Sequence, residues 1–286
     1  MGESNFYCHM LENHLICIML KFANAKINIG LQITNKRKDG YHDLETVFYP
    51  VKIYDVVEII PADTLELQIW NSDLAADENN LCLRAFRLLA ESYTVDPVKI
   101  HLLKHIPMGA GLGGGSSDAS ATLLLLDDFF NLNLGQERLM ELAGQLGADC
   151  PFFIANKPMY AEGIGTELSP IDLDLEAYHI IVVKPDVHIS TADAYAGVEP
   201  KPAAIDLREA VKLPIQEWKY GIVNDFELSL FDRYPQLNRL KQKLYETGAI
   251  YASMSGSGSA VYGIFEEIPN IKELQEFGTV YLPQHL

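Results

Sequence analysis

The sequence predicts a two-domain α+β protein, and three observations carry that reading. A chain of 286 residues, 48% of them hydrophobic, is long enough for about two buried cores. Residues 26–70 hold several apolar stretches that alternate with a period of two, as the strands of an antiparallel sheet do. Beyond residue 178, strand-like and helix-like stretches take turns. No internal repeat or low-complexity tract interrupts the pattern.

Lys26 to Thr34 reads as a strand with Ile27, Ile29, Leu31 and Ile33 on a core face. Lys26, Asn28, Gly30 and Gln32 then share the opposite face, which is free for chemistry. A charged turn, NKRKDG, follows. TVFYPVKIYDVVEII predicts two more strands and TLELQIW another, with antiparallel pairing expected throughout. Asn80 to Tyr93 is amphipathic, with Leu81, Ala85, Leu88 and Leu89 on one side of a helix. A strand from Val98 runs past Pro107 into a glycine loop and a long apolar helix. Asn131 to Gly135 breaks that helix, and Leu139, Leu142, Ala143 and Leu146 mark the next one, stopped at Gly147. Cys150 to Phe153 is expected to be a buried extended segment, which puts Asp149 at a helix-to-strand corner.

Pro158 to Pro170, with Gly163 and Gly165, predicts a crossing between domains. A strand at Tyr178, a helix start at Ser190-Thr191 and a loop between Pro200 and Pro214 come next. Helices over Asn224 to Asp232 and Pro235 to Thr247, strands over Ile250 to Met254 and Val261 to Phe265, a helix from about Pro269 and a strand over Thr279 to Leu282 complete the chain.

Charge and cysteine content exclude several function classes. A net charge of −17 repels nucleic-acid backbones and anionic lipid surfaces. Within that acidic chain, Lys21 to His42 carries five lysines or arginines against one acid, a local field suited to a small anion. Cys8, Cys17, Cys82 and Cys150 lack metal or redox spacing, which fits reduced thiols in a cytoplasmic protein and no zinc site. The run Leu15 to Leu20 follows Glu3 and Glu12 and has neither a basic lead nor a cleavage site, so no signal peptide is expected. No stretch reaches the roughly 18 apolar residues of a membrane span.

The chemistry centres on the glycine loop, with glycines at 109, 111, 113, 114 and 115. Such a run admits positive φ and removes every Cβ, so successive N–H groups can line a concave wall against an anion. Ser116 or Ser117 can cap the following helix, whose N-terminal partial charge then points at the same place. A Walker loop is excluded because no lysine lies between Lys104 and Lys157. Gly109, Gly111 and Gly114 match the dinucleotide spacing, but the acids at Asp127 and Asp128 continue a helix where that motif needs the end of a second strand.

Pro107-x-x-x-Gly111-Leu112-Gly113-Gly114-Gly115-Ser116-Ser117-x-Ala119 resembles the ATP-binding motif of the GHMP kinases. KINIGLQITNKRKDGYH from Lys26, GADCPFF from Gly147 and SMSGSGSAVYGIF from Ser253 extend the likeness from about Met19 to the C-terminus. The Asp-Gly-Tyr-His tetrad ending at His42 points to the branch that acts on 4-diphosphocytidyl-2-C-methyl-D-erythritol in non-mevalonate isoprenoid synthesis. Two positions depart from the family pattern: Asn24 stands where proline is usual, and Tyr195 where phenylalanine is frequent.

The resemblance implies a ribosomal-S5-domain-2-like N-terminal domain over residues 1–167 and a ferredoxin-like C-terminal domain over 168–286. Residues 1–18 form an extension outside the family pattern. It implies that Asp149 takes the proton of the substrate hydroxyl while Lys26 pairs with it and stabilises the moving phosphoryl group. ATP would lie on Pro107, Met108, Gly109, Ala110, Gly111, Leu112, Gly113, Gly114, Gly115, Ser116 and Ser117, with Mg²⁺ brought by the nucleotide and Ser117 the nearest protein hydroxyl. Tyr41 and Tyr195 would sandwich the cytosine, His42 would bond its edge, and Asn28, Thr191, Gly256, Ser257 and Gly258 would meet the rest of the substrate.

The implied activity is transfer of the ATP γ-phosphate to the 2-hydroxyl of the cytidyl compound by a monomer or homodimer that needs no nucleic acid or membrane. Another GHMP kinase, acting on mevalonate or a sugar, would lack the Tyr41-His42 pair. A silent nucleotide sensor on the same fold would be expected to lose Lys26 or Asp149, and both are present.

Overall fold

A computed structural model describes residues 5–11 and 14–284. It resolves into two compact units that interleave along the chain. One unit holds Met1–Ala25, Tyr54–Ile106 and Gly114–Asn156, and the other holds Lys26–Ile53, Pro107–Gly113 and Lys157–Leu286. Two long strands, β2 (His14–Lys36) and β3 (His42–Pro61), run from one unit into the other, after a short first strand β1 (Asn5–Leu11).

In the first unit the last part of β3 pairs antiparallel with β5 (Val98–Leu103), and β5 pairs parallel with β4 (Glu66–Trp70). Parallel neighbours need a crossover, and α1 (Leu81–Ala90) supplies it between them. Asn80 caps α1 by accepting the N–H of Cys82. The core is built by Val57, Ile59, Ile100 and Leu102 from the strands, Phe86 and Leu89 from α1, and Leu123, Leu125 and Leu126 from α2 (Gly114–Phe129). Leu139, Leu142 and Leu146 of α3 (Gly135–Leu146) and Cys150 and Ile154 of α4 (Cys150–Ala155) close it. Small and apolar residues around most of α2 let it be buried deeply, as the sequence predicts.

Both ends of the glycine loop are anchored by one buried charge cluster in this unit. Asp55 of β3 accepts the backbone N–H of His105 and of Ile106 (2.8 Å), just before the loop. Lys104 bonds Asp55 and reaches Asp118 in the first turns of α2 at 2.7 Å, just after it. All three side chains are buried. Burial draws the Lys104 ammonium down, but Asp118 and Asp55 more than offset this and hold it above its usual value. One cation faces two carboxyl groups, and among the described residues Asp118 Oδ1 has no hydrogen-bond partner. Burial pushes the Asp118 carboxyl up to about 8, so the cluster is closest to neutral with Asp118 protonated.

In the second unit, β2 from Lys26 onward and β3 up to Ile53 continue. There β3 pairs antiparallel with β6 (Met159–Glu162), which pairs with β7 (Glu167–Pro170). A four-stranded antiparallel sheet follows the order β11 (Thr279–Tyr281), β8 (His179–Lys184), β10 (Val261–Phe265), β9 (Tyr251–Met254). Helices α5 (Thr191–Ala196), α6 (Leu207–Ala210), α7 (Ile215–Trp218), α8 (Phe226–Arg233) and α9 (Pro235–Glu246) belong to the same unit. Its core gathers Leu31 and Ile33 of β2, Ile181 and Val183 of β8, Leu230, Leu237, Leu240 and Leu244 of the helices, and Met254 and Val261 of the sheet.

Several expectations are corrected. Cys150 to Ala155 is helical because Pro151 sits in the first turn, where its missing N–H costs nothing, so Asp149 joins two helices and not a helix to a strand. Pro158 to Pro170 is the β6–β7 hairpin and not a crossing. TVFYPVKIYDVVEII lies in one continuous strand, and β4 is parallel to its neighbour. Helix α2 begins at Gly114, which leaves Ser116 and Ser117 inside its first turn and not at its cap. A single 3₁₀ turn, Ile271–Glu273, stands where a helix from Pro269 is expected. The polar face of β2 is as buried as the apolar one, with Lys26 at 4% and Asn28 at 2% exposure.

Cys82 and Cys150 are free and buried, and burial raises their thiols to about 12 and about 11. The side chains of Cys8 and Cys17 lie outside the described residues. Among the described residues no helix is long and apolar enough to cross a membrane.

Lys104→Met strips the counter-charge from buried Asp55 and a hydrogen bond from Asp118, and should lower unfolding free energy by about 3–5 kcal/mol in denaturant titration. A carboxyl raised on folding contributes stability below its unfolded pKa and loses it as pH rises through the folded value. Wild type should therefore lose melting temperature relative to Asp118→Asn from about pH 4 to about pH 8, and parallel curves would mean that the Asp118 carboxyl is not raised on folding. Strand β1 pairs with β2 from Asn5↔Leu20 to Leu11↔His14, whereas Met19 is the first described core residue. A chain starting at Met19 should melt within about 5 °C of the full chain and keep its activity, and a larger drop would show that residues 1–18 support the domain.

Candidate active site

In the second unit the two small-residue loops of the sequence meet. Gly109, Gly111 and Gly113 all have positive φ, as does Gly256, so these backbones turn where a side chain would be strained. A Cβ on Gly111 would stand 1.9 Å from the carbonyl oxygen of Ser255, and one on Gly256 would stand 3.2 Å from the carbonyl oxygen of Gly111. The seam is held by Ser255 Oγ, which donates to Gly111 O at 2.8 Å and accepts from the N–H of Asn28 at 3.3 Å. The N–H of Ala260 donates to Ala110 O (3.2 Å) and that of Lys26 to Leu112 O (2.9 Å). Asn224 supports the second loop by donating to Met254 O and Gly256 O.

Lys26 projects from β2 with Nζ 2.5 Å from Asn28 Oδ1 and 4.8 Å from the centroid of the Phe48 ring. Asn28 Nδ2 donates to Thr46 Oγ1 at 3.0 Å, and Thr46 donates to Gly30 O. Lys26, Asn28, the loop from Pro107 through Met108 to Gly113 and the loop from Gly256 through Ser257 to Gly258 therefore form one constellation. His42 and Tyr195 form another, stacked at 4.8 Å with 24° between their planes, and Phe226 meets Tyr195 edge-on. Thr191 opens the same short helix as Tyr195, capped by Ser190. Tyr41 is exposed beside His42. A base sandwiched between Tyr41 and Tyr195 must use a face of Tyr195 other than the one His42 covers. Burial, with the nearby charge of Lys36, lowers the His42 imidazole below its usual value, which favours the neutral ring with one donor and one acceptor.

The first unit carries Gly114, Gly115, Ser116, Ser117 and Asp149. Asp149 precedes α4, and Ser120 of α2 donates to the carbonyl of Cys150 at 2.8 Å. The start of α2 and the corner bearing Asp149 are thus fixed to each other. Ser117 is buried, and among the described residues no group of three or more His, Cys, Asp or Glu could hold a metal ion.

Thr46, Ser255 and Asn224 support the constellation of the second unit, Asp55 and Lys104 hold residues of the first, and none was singled out by sequence reasoning. Thr46 and Asp55 carried a faint mark, as polar residues at positions where an apolar strand buries its side chains.

Gly111→Ala should force the loops apart, lowering melting temperature and weakening ATP binding by about tenfold or more in calorimetry. Gly115→Ala, whose Cβ would only touch Leu81 at 3.9 Å, should leave the melting temperature nearly unchanged. Equal effects on melting temperature would remove the close approach as the reason for glycine at position 111.

Comparison with known proteins gives the family. The model of the GHMP kinases N terminal domain matches residues 80–157, and that of the GHMP kinases C terminal domain matches 208–278. A 4-diphosphocytidyl-2-C-methyl-D-erythritol kinase of Parabacteroides distasonis is 48% identical over 265 residues, covering 92% of this chain and 98% of that relative. The Chlorobium limicola protein of the same name is 47% identical over 251 residues, covering 85% of this chain and 87% of the relative. A crystal structure of 4-(cytidine 5'-diphospho)-2C-methyl-D-erythritol kinase superimposes with a TM-score of 0.78 at 30% identity, over 92% of this chain and 98% of that one. A mevalonate kinase structure, at 16% identity and a TM-score of 0.68 over 93% and 98% of the two chains, shares the fold. The chain belongs to the GHMP kinase family.

Proposed function

We propose that the protein transfers the γ-phosphate of ATP to the 2-hydroxyl of 4-diphosphocytidyl-2-C-methyl-D-erythritol, in the cytoplasm, as a step of non-mevalonate isoprenoid precursor synthesis. The observation that carries this reading is the near-full-length identity of 48% to a relative of that name, in a chain that keeps the Asp-Gly-Tyr-His tetrad ending at His42.

Phosphoryl transfer is mostly positioning and charge stabilisation. The backbone N–H groups of the glycine loop, together with the start of α2, suit the phosphates of ATP without any lysine in the loop. Asp149 orients the substrate hydroxyl and takes its proton, and Lys26 pairs with Asp149 and stabilises charge on the moving group. Ser117 would be the protein hydroxyl nearest a Mg²⁺ brought by the nucleotide, which would supply charge neutralisation at the phosphates. Tyr41 and Tyr195 hold the cytosine, His42 reads its edge, and Asn28, Thr191, Gly256, Ser257 and Gly258 meet the remainder. The family matches at 80–157 and 208–278 fall one in each of the domains placed at 1–167 and 168–286, whereas the compact units divide the chain elsewhere and group Lys26–Ile53 and Pro107–Gly113 with Lys157–Leu286.

The test is a substrate competition. The cytidyl compound should be phosphorylated with a kcat/KM far above that of free methylerythritol, mevalonate or galactose, because contacts remote from the reacting hydroxyl help to align it. Comparable rates on any of these would overturn the assignment. Asp149→Asn should cut kcat by roughly 10² or more with little change in substrate affinity, and near-normal turnover would remove Asp149 from the chemistry.

A further inference from the structure

We infer that Thr46 is a positioning residue for Lys26, acting through the side-chain amide of Asn28. The inference rests on the proposed role of Lys26 and adds a residue to it.

Four groups stand in a row: the Lys26 ammonium, the Asn28 amide, the Thr46 hydroxyl and the Gly30 carbonyl. The two ends have fixed polarity, because an ammonium only donates and a carbonyl only accepts. The two middle groups can each do both. Since Gly30 O must receive a proton, the Thr46 hydroxyl donates to it and turns a lone pair toward Asn28. That lone pair can be met only by the NH₂ end of the amide, so the carbonyl end, Oδ1, faces Lys26. Thr46 thereby sets which end of Asn28 the lysine sees.

The surroundings leave this row little freedom. Thr46 is fully buried and Asn28 is 2% exposed. The backbone of Asn28 is tied on both sides, its N–H to Ser255 Oγ and its carbonyl to the hydroxyl of Tyr262 at 2.9 Å. A Cβ on Gly256 would stand 3.3 Å from Asn28 Oδ1, so the second loop closes over the amide. Without the Thr46 hydroxyl, Gly30 O loses that donor and the orientation of the amide rests on Lys26 alone. Rotation would turn an NH₂ against the Lys26 ammonium and push that charge from the position in which it meets the transferring group.

Thr46→Val keeps the shape and removes the hydroxyl, whereas Thr46→Ser keeps the hydroxyl and removes a buried methyl. Thr46→Val should lower kcat about tenfold or more with the KM for ATP within about twofold, and Thr46→Ser should stay within about twofold of wild-type kcat. A merely structural Thr46 moves the melting temperature of these variants and leaves kcat unmoved. If Thr46→Val does not fold, Thr46→Ala removes the same hydroxyl without bulk beside Gly30, and the same split between kcat and KM is expected of it. Wild-type kcat in the folded hydroxyl-less variant, or equal losses in the valine and serine variants, would overturn the inference. Lys26→Ala assayed alongside separates the two ideas: an active Lys26→Ala removes the proposed role of Lys26, while an inactive one beside a normal Thr46→Val removes Thr46 alone.

Discussion

The hydroxyl of Ser255 touches both the first glycine loop and the strand that carries Lys26, and the site in this unit depends on that contact. Its proton goes to Gly111 O and its lone pair receives the N–H of Asn28. For one small side chain to reach both, the two loops must approach within the radius of a methyl group. That is why a Cβ on Gly111 has nowhere to go, and why the second loop has Gly256 where it faces Gly111 and Asn28. Here glycine is required for contact as well as for its backbone freedom.

From this seam the rest of the constellation follows in short steps. Lys26 is fixed through its own N–H to Leu112 O, so the lysine and the phosphate loop share one framework. The side chain then runs over Phe48 to Asn28, and the row ending at Gly30 gives it a direction. In the other unit the Asp55–Lys104–Asp118 cluster fixes the residues on either side of the loop. Flexible backbone is thus confined between anchored ends. Such an arrangement suits a reaction in which the protein contributes alignment more than covalent chemistry.

The glycine loop, the helix after it and the alternation of β2 were legible because each is a local property: glycine density, apolar content and a period of two. Cys150 to Phe153 misled because four apolar residues are too few to separate strand from helix, although Pro151 was a usable helix-start mark. The parallel pairing of β4 and β5 could have been read from the helix between them, since a parallel neighbour needs a crossover of that length. Thr46 and Ser255 were not legible. Ser255 meets Asn28 across 227 positions of sequence, and a lone hydroxyl in an apolar strand does not say which distant group it will find. His42 on Tyr195 is a similar case, since the tetrad marks the histidine but not the ring it rests on.

If the seam is a fixed part of the fold, it must persist without nucleotide. Amide hydrogen exchange of the ligand-free protein addresses this, through the N–H groups of Lys26, Asn28 and Ala260 that cross between the strand and the two loops. The account predicts that all three exchange about 10³-fold or more slowly than an unstructured peptide, close to the amides of the core strands, and that Ser255→Ala speeds Asn28 most. Exchange of these amides as fast as that of the exposed turn at Gly40 would contradict it, and would mean that the loops come together only around a bound substrate.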